Sequence, residues 1–477
     1  MPVPIISVAQ MREWEEASWA AGRKELEVIA HVGELVARRA RAMARPGARV
    51  VVLAGKGHNG DDARAAAKRL PTDGSVCVRN VGATANDVLE ALAELEKRPA
   101  LIVDGLFGIG LSRPLEGQWP QLIERVNELQ TQVLSVDVPS GLNGDTGTPE
   151  GAAIRATVTL TVGAPKRGLL LPAAWPYVGR LEVAADTGLM PCPLAGEMNW
   201  TLPEDFEDYP PIRPATAHKG DFGRLAIIAG SAGYHGAAVL SSRGAQRAQP
   251  GLITLHTPEA VYQCVASQLQ AVMVSVWHPN QKWSGHYDAL LAGPGLAAEN
   301  LPAVMKVLVR ELWQHFPAPM IVDASALGWL GETKPEHPEF VRVVTPHPGE
   351  AARILGTTAA QVQSSRLDAL REISLRLGNC RVVLKGQQTL IGRSTGSVVV
   401  NSSGNPHLAQ GGSGDVLAGF VAGLLAQPAL AADPLKAISY AVWQHGAAAD
   451  RLSRARNNWV VEDLTAEIGN REREGAG

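Results

Sequence analysis

Cysteine is scarce in this 477-residue chain: Cys77, Cys192, Cys264 and Cys380 stand far apart, with no Cys-x-x-Cys pair. Their spacing excludes a zinc-binding or disulfide framework, and each reads as a small apolar side chain in a reducing compartment. No apolar run approaches the roughly 18 residues that a membrane-spanning helix needs. Residues 1–16 also lack the basic stretch and apolar core of a secretory leader. A soluble, cytoplasmic protein without a membrane partner is therefore expected. An excess of one charge is missing too: 44 Lys and Arg stand against 47 Asp and Glu, both signs scattered, for a net charge of -3. That balance argues against nucleic acid and toward small-molecule partners, in a chain expected to form a homo-oligomer.

What is present is an alternation of short apolar runs with helical stretches. Val50-Val51-Val52-Leu53-Ala54, Leu101-Ile102-Val103-Asp104 and Val133-Leu134-Ser135-Val136-Asp137 are rich in Val, Ile and Leu, with Ala/Glu/Arg/Leu-rich segments at 61–70 and 85–97. Such a pattern predicts buried parallel strands joined by crossover helices, an α/β architecture. From 190 to 214 six prolines and little periodicity predict a linker. Beyond it the alternation resumes, at 225–229, 252–255, 290–292, 320–323, 342–344 and 381–384. The length suits two cores, so two α/β domains are expected, 1–205 and 206–477.

In the second half, Gly411-Gly412-Ser413-Gly414-Asp415 precedes an apolar helical run. Glycines let the backbone approach a ligand, and N–H groups at the positive end of a helix attract an anion, so the turn reads as a phosphate cradle. Lys385-Gly386-Gln387-Gln388-Thr389 follows a strand and falls at the carboxyl edge of the sheet, where α/β ligands bind. A carboxylate beside a phosphate cradle is placed to take the proton of a hydroxyl that attacks phosphorus. As isolated residues, Asp415 reads as a helix cap and His347 as a solvated loop side chain.

Together with His218-Lys219-Gly220-Asp221-Phe222-Gly223-Arg224, Gly230-Ser231, Gly236-Ala237-Ala238, Gly293-Pro294-Gly295 and Thr345-Pro346-His347-Pro348-Gly349-Glu350, these motifs resemble the ribokinase-like fold. Within it they resemble the ADP/ATP-dependent NAD(P)H-hydrate dehydratases. The resemblance implies that Asp415 activates the hydroxyl of a hydrated nicotinamide ring for phosphorylation, after which phosphate leaves and NADH or NADPH is restored. It also implies that Ala237, Gly295 and His347 meet the hydrated dinucleotide. Lys385, Gly386, Gln387, Gln388, Thr389 and Gly414 would meet ADP or ATP, with magnesium on the phosphates. Pro250, Ser325, His407, Leu408 and Gln410 depart from the family pattern around this cradle.

In the first half, strand 50–54 runs into Gly55-Lys56-Gly57-His58-Asn59-Gly60-Asp61-Asp62, whose glycine spacing is not the Gly-x-Gly-x-x-Gly of dinucleotide folds. Asp104 and Asp137 each end a strand, which gathers them and the 55–62 loop at one sheet edge. Carboxylates and an Asn amide oxygen suit a cation, and Asp137 suits proton transfer; the same aspartates also suit strand ends and helix caps. With Gln10-Met11-Arg12-Glu13, Val138-Pro139-Ser140-Gly141 and Ala164-Pro165-Lys166-Arg167-Gly168, this half resembles the NAD(P)H-hydrate epimerase domain. The resemblance implies a Rossmann-like parallel-sheet sandwich in which Asn59, Asp104 and Ser140 hold potassium. Gly108, Ile109, Gly110, Leu111, Ser112, Arg113 and Pro114, with His58, Gly60 and Asp62, would meet the dinucleotide, and Asp137 would serve the epimerisation. The first loop reads Gly57-His58-Asn59-Gly60-Asp61-Asp62-Ala63, where the family reads Gly-Asn-Asn-Gly-Gly-Asp-Gly.

Two other readings stand beside this one. The second domain could be a ribokinase-like kinase for a vitamin-precursor alcohol, and the first a binding module without catalysis.

Overall fold

The computed structural model describes residues 3–82 and 84–470. The chain divides into two compact units, one up to Leu202 and the other from Pro203. The expected linker at 190–214 is not featureless: strand β1 (Val3–Pro4) pairs antiparallel with Met198–Trp200. Those ladder bonds outweigh the local proline content and carry the first unit past residue 200.

In the first unit β2 (Val50–Ala54), β3 (Val76–Asn80), β4 (Leu101–Gly105), β5 (Gln132–Val136), β6 (Val158–Val162) and β7 (Arg180–Ala184) form a parallel sheet in the order β3-β2-β4-β5-β6-β7. Val50, Val52 and Ala54 pack with Val32, Val36, Ala63 and Ala66 of two helices, Glu25–Met43 and His58–Ala67. Val51 and Leu53 pack with Val88, Leu95, Leu122 and Val126 of helices Ala85–Leu95 and Trp119–Glu128. Because both faces are covered, the strands read as continuous apolar runs rather than alternating ones.

After β8 (Met198–Trp200), the second unit contributes β9 (Arg224–Ile228), β10 (Leu252–Thr257), β11 (Met273–Val276), β12 (Ala289–Ala292), β13 (Met320–Val322), β14 (Arg342–Val344), β15 (Arg381–Leu384), β16 (Leu390–Gly392) and β17 (Val398–Val400). Their order is β17-β16-β15-β14-β13-β12-β9-β10-β11, parallel from β11 to β15 and antiparallel at β16 and β17. The sequence direction reverses at β9, flanked by β12 and β10, which opens a crevice beyond their carboxyl ends.

Helix Ser413–Leu425 is buried from Val416 onward and lies against helix His235–Ala248. Glycine makes that approach possible. A Cβ on Gly419 would stand 1.8 Å from the Ser241 carbonyl oxygen, and one on Gly244 would stand 2.2 Å from that of Val416. Gly419→Ala is therefore expected to push the helices apart, costing about 1–3 kcal/mol and loosening the turn that opens the helix. A lowered melting temperature of the second unit checks this. Among the described residues no helix is long and apolar enough to cross a membrane.

Candidate active sites

In the second unit, Gly412 adopts φ 96° and caps helix Ser413–Leu425, a backbone that a side chain would strain. The helix begins at Ser413, so the first-turn N–H groups of Gly414 and Asp415 have no intrahelical acceptor and face outward as anion donors. Ser413 is fastened from two sides: its hydroxyl donates to the Leu408 carbonyl at 2.8 Å, and its own carbonyl accepts from His445 Nε2 at 3.0 Å. Burial holds the His445 pKa down to about 4, so it makes this bond as a neutral ring. Upstream, Asp450 accepts from Gly404 N at 3.0 Å and Asn405 Nδ2 at 2.8 Å, tying the approach to the cradle onto helix Pro434–Ala455.

Lys385, just past β15, crosses to the same place. Its ammonium donates to Asp323 Oδ1 at 2.9 Å, lies 3.8 Å from Glu350 Oε2, and would be 3.4 Å from a Cβ on Gly414. Asp323, fully buried at the end of β13, also accepts from Thr345 Oγ1 at 2.6 Å. Burial alone would push the Lys385 pKa down, but the carboxylates of Asp323, Glu350 and Asp415 outweigh it and hold it above the ordinary lysine value. Asp415 goes the other way: burial, then the charges of Asp323 and Glu350, push its pKa up to about 7 against the pull of Lys385. A carboxyl group that titrates near neutrality beside a helix N-terminus can act as a general base.

The remaining expected residues surround this centre. A Cβ on Gly293 would meet the Asp323 carbonyl at 1.8 Å, and one on Gly295 would meet Ala237 Cβ at 2.9 Å, so the Gly293–Gly295 turn bridges Asp323 and Ala237. Ser231 Oγ locks that turn by donating to Gly295 O at 2.6 Å. His347 is half exposed but is not a free loop side chain. It caps helix Pro348–Leu355, with Nδ1 accepting from Gly349 N at 3.0 Å and Glu350 N at 3.3 Å, while Nε2 lies 3.5 Å from Glu350 Oε1. Gly386, Gln387 and Gln388 form the exposed β15–β16 turn, closed by Thr389 Oγ1 donating to Gly386 O at 3.1 Å. Lys385 thus separates from its sequence neighbours and joins the phosphate end. Asp323, Thr345, Glu350 and His445 were given no role from sequence. The Thr-Pro-His-Pro-Gly-Glu stretch was the one signal that could have marked Glu350.

In the first unit, helix His58–Ala67 starts three residues earlier than the expected 61, because Gly57 is its cap, and Asn59, Gly60, Asp61 and Asp62 form its opening turns. Asn59 Nδ2 donates to the Phe107 carbonyl at 2.9 Å, while its Oδ1 is buried without a hydrogen-bond partner. Asp104 is fully buried, and both its oxygens accept: Oδ1 from Ser140 Oγ at 2.5 Å and Leu106 N at 3.3 Å, Oδ2 from Ser135 Oγ at 2.8 Å and Ser140 N at 2.9 Å. Burial raises its pKa against those hydrogen bonds. Gly108 passes beside Asn59, Ile109 packs with Met11, Trp14 and Ala164, and Gly110, Ser112, Arg113 and Pro114 are exposed, with Leu111 between.

Asp137, in a left-handed conformation at φ 64°, is bound by the Lys166 ammonium. Asp62 is buried, and its pKa is pushed well up by that burial, then by the charges of Asp137, Asp61 and Glu15. Glu15 is raised likewise, by burial and then by Asp137. His58 is exposed and reaches Glu25 at 2.9 Å. Asp61, the charge at a family glycine position, turns to Arg64 at 2.8 Å, which also donates to Gly55 O at 2.9 Å and Asn80 Oδ1 at 3.1 Å. Its carboxylate is therefore paired within the helix, although its charge still reaches Asp62.

Known proteins match both halves of the chain. The NAD(P)H-hydrate dehydratase family model matches residues 225–471, and the YjeF-related protein N-terminus model matches 77–168, which begins beyond the altered first loop. The bifunctional NAD(P)H-hydrate repair enzyme of Moorella thermoacetica is 33% identical, covering 86% of this chain and 84% of its own. That of Gloeobacter violaceus is also 33% identical, covering 98% and 96%. A ribokinase-like superfamily protein of Enterococcus faecalis superposes with a TM-score of 0.50 at 26% identity, covering 58% of this chain and 95% of that one. Matched along nearly its whole length at this identity, the chain belongs to the family of bifunctional NAD(P)H-hydrate repair enzymes.

Proposed function

We propose that the second unit dehydrates the S hydrate of NADH or NADPH at the expense of ADP or ATP, and that the first interconverts the R and S hydrates. The observation that carries the first half is Asp415, with a pKa near 7, at the donor end of helix Ser413–Leu425 and next to the Lys385 ammonium. Asp415 takes the proton of the ring hydroxyl, whose oxygen attacks the terminal phosphorus and displaces AMP from ADP, or ADP from ATP. The phosphoester then loses inorganic phosphate together with a ring proton, which restores the double bond. Lys385 and the N–H groups of Gly414 and Asp415 bear the charge of the transferring phosphoryl group. Among the described residues no cluster of three His, Cys, Asp or Glu is arranged to hold a metal unaided. The carboxylates of Asp323, Glu350 and Asp415 would face magnesium carried on the nucleotide phosphates, which would neutralise part of the phosphate charge.

For the first unit, the unpartnered Asn59 Oδ1, beside the Phe107 carbonyl, Ser140 and Asp104, suits a large monovalent cation held by oxygens. Potassium there would fix the 108–114 loop, leaving Asp137 to move the proton. Asn59→Ala is expected to abolish any stimulation of epimerisation by potassium over sodium while dehydration is unchanged. The cytoplasm suits the four free cysteines.

The test of the whole reading is a mixture of R and S hydrates given to the full chain with ADP or ATP, followed at the dihydronicotinamide absorbance. Complete conversion is expected. Stalling with only the S epimer consumed would make the first unit a binding module, and a stable phosphorylated alcohol by mass spectrometry would make the second an ordinary kinase.

A further inference from the structure

Lys166 has no solvent exposure, an unusual position for an ammonium group. All three of its protons are used: it donates to Asp137 Oδ1, to Thr161 Oγ1 at 3.2 Å and to the Val162 carbonyl at 2.9 Å. Asp137 Oδ1 also accepts from Val162 N at 3.0 Å and Thr161 Oγ1 at 3.2 Å. Among the described residues, every hydrogen bond to this carboxylate falls on Oδ1 and none on Oδ2. The backbone of Lys166 is pinned as well, bridging in parallel to Ile6, with Ile6 N donating to Pro165 O at 3.0 Å and Arg167 N to Ile6 O at 2.8 Å. Two ends of the chain segment thus clamp one side chain onto one oxygen.

A buried ion pair with this many bonds is a poor stabiliser relative to an apolar replacement, since desolvation offsets most of the Coulomb gain. What it does supply is direction. We propose that Lys166 is the positioning residue of the epimerisation, saturating Oδ1 of Asp137 so that the proton is taken and returned through Oδ2 alone. This rests on the reading of the first unit as an epimerase. The ionisable groups that interact with the pair are Glu15 from helix Val8–Ala20 and Asp62 from helix His58–Ala67; Arg12 and His58 act in turn on Glu15, and Asp61 on Asp62. Lys166 is the cation hydrogen-bonded to Asp137, and the acids nearby add negative charge.

The experiment uses the full chain, in which dehydration of pure S hydrate with ADP reports the second unit independently. Lys166→Met is expected to lower kcat of epimerisation at least 100-fold, with KM within threefold. The acid limb of its pH–rate profile should move upward by a unit or more, and dehydration should stay within twofold. Lys166→Arg, which keeps the charge but not the three-bond fit, should retain the wild-type limb with an intermediate rate. If Lys166→Met abolishes the first unit's melting transition, Thr161→Val takes its place, with the same upward limb expected. An unchanged limb in the folded variant, or equal losses in the Met and Arg variants, overturns the proposal. Wild-type protein that leaves the R hydrate to its spontaneous rate overturns the epimerase reading, and the proposal with it.

Discussion

Asp415→Asn is expected to lower turnover of the S hydrate by about 10²–10⁴-fold while ADP affinity, measured by calorimetry, stays within a few-fold. The split follows from the site: the amide removes the base, whereas the anion donors are backbone N–H groups and Lys385. The same residue sets the pH dependence. With its pKa near 7, wild-type dehydration should fall up to tenfold per unit below pH 7 and level off above it. Stability carries the opposite sign. A carboxyl whose folded pKa is raised contributes fully below the unfolded value near 4, and that contribution is lost as pH rises through 7. Asp415→Asn should thus match wild type near pH 4 and exceed it above pH 8 by about 2–4 kcal/mol. Denaturant melts at the two pH values decide this. A variant with wild-type turnover would remove Asp415 from its role.

Lys385→Met carries the second large effect. It strips the counter-charge from Asp323 and Glu350, both buried, and removes the side-chain cation nearest Gly414. Breaking a buried pair in this way costs about 3 kcal/mol, so the second unit should melt markedly lower. Phosphoryl transfer should fall at least as far as for a lost oxyanion donor, about 10²–10³-fold in kcat. Nucleotide affinity should weaken as well, which distinguishes this variant from Asp415→Asn. Tight ADP binding with an unchanged melt would mean that the Asp323 contact is incidental.

Much of this was legible in the sequence, and the limits have physical causes. The strands were readable because two-sided burial leaves uninterrupted Val, Ile and Leu runs, as at Val50–Ala54. The Gly411–Asp415 turn was readable as a helix start because a glycine cap followed by an apolar run is encoded locally. Asp323 was not, since its role is set by Lys385 some sixty positions later and by Thr345, contacts that register between parallel strands creates. His347 looked like a ligand or a solvated loop, whereas half of its ring serves the backbone of its own helix. Lys166 stood in a quoted motif without an assignment, because full burial of a lysine is a tertiary fact.

The Asp61–Arg64 contact at the opening of the first-unit helix also bears on how this loop can be altered. A change of Asp61 to the family's glycine would leave Arg64 only its bonds to Gly55 O and Asn80 Oδ1 and would weaken the first turn, while a change of Arg64 alone would leave the Asp61 charge unbalanced beside Asp62. Positions 61 and 64 are therefore epistatic, and consensus repair of this loop has to exchange them as a single heritable block.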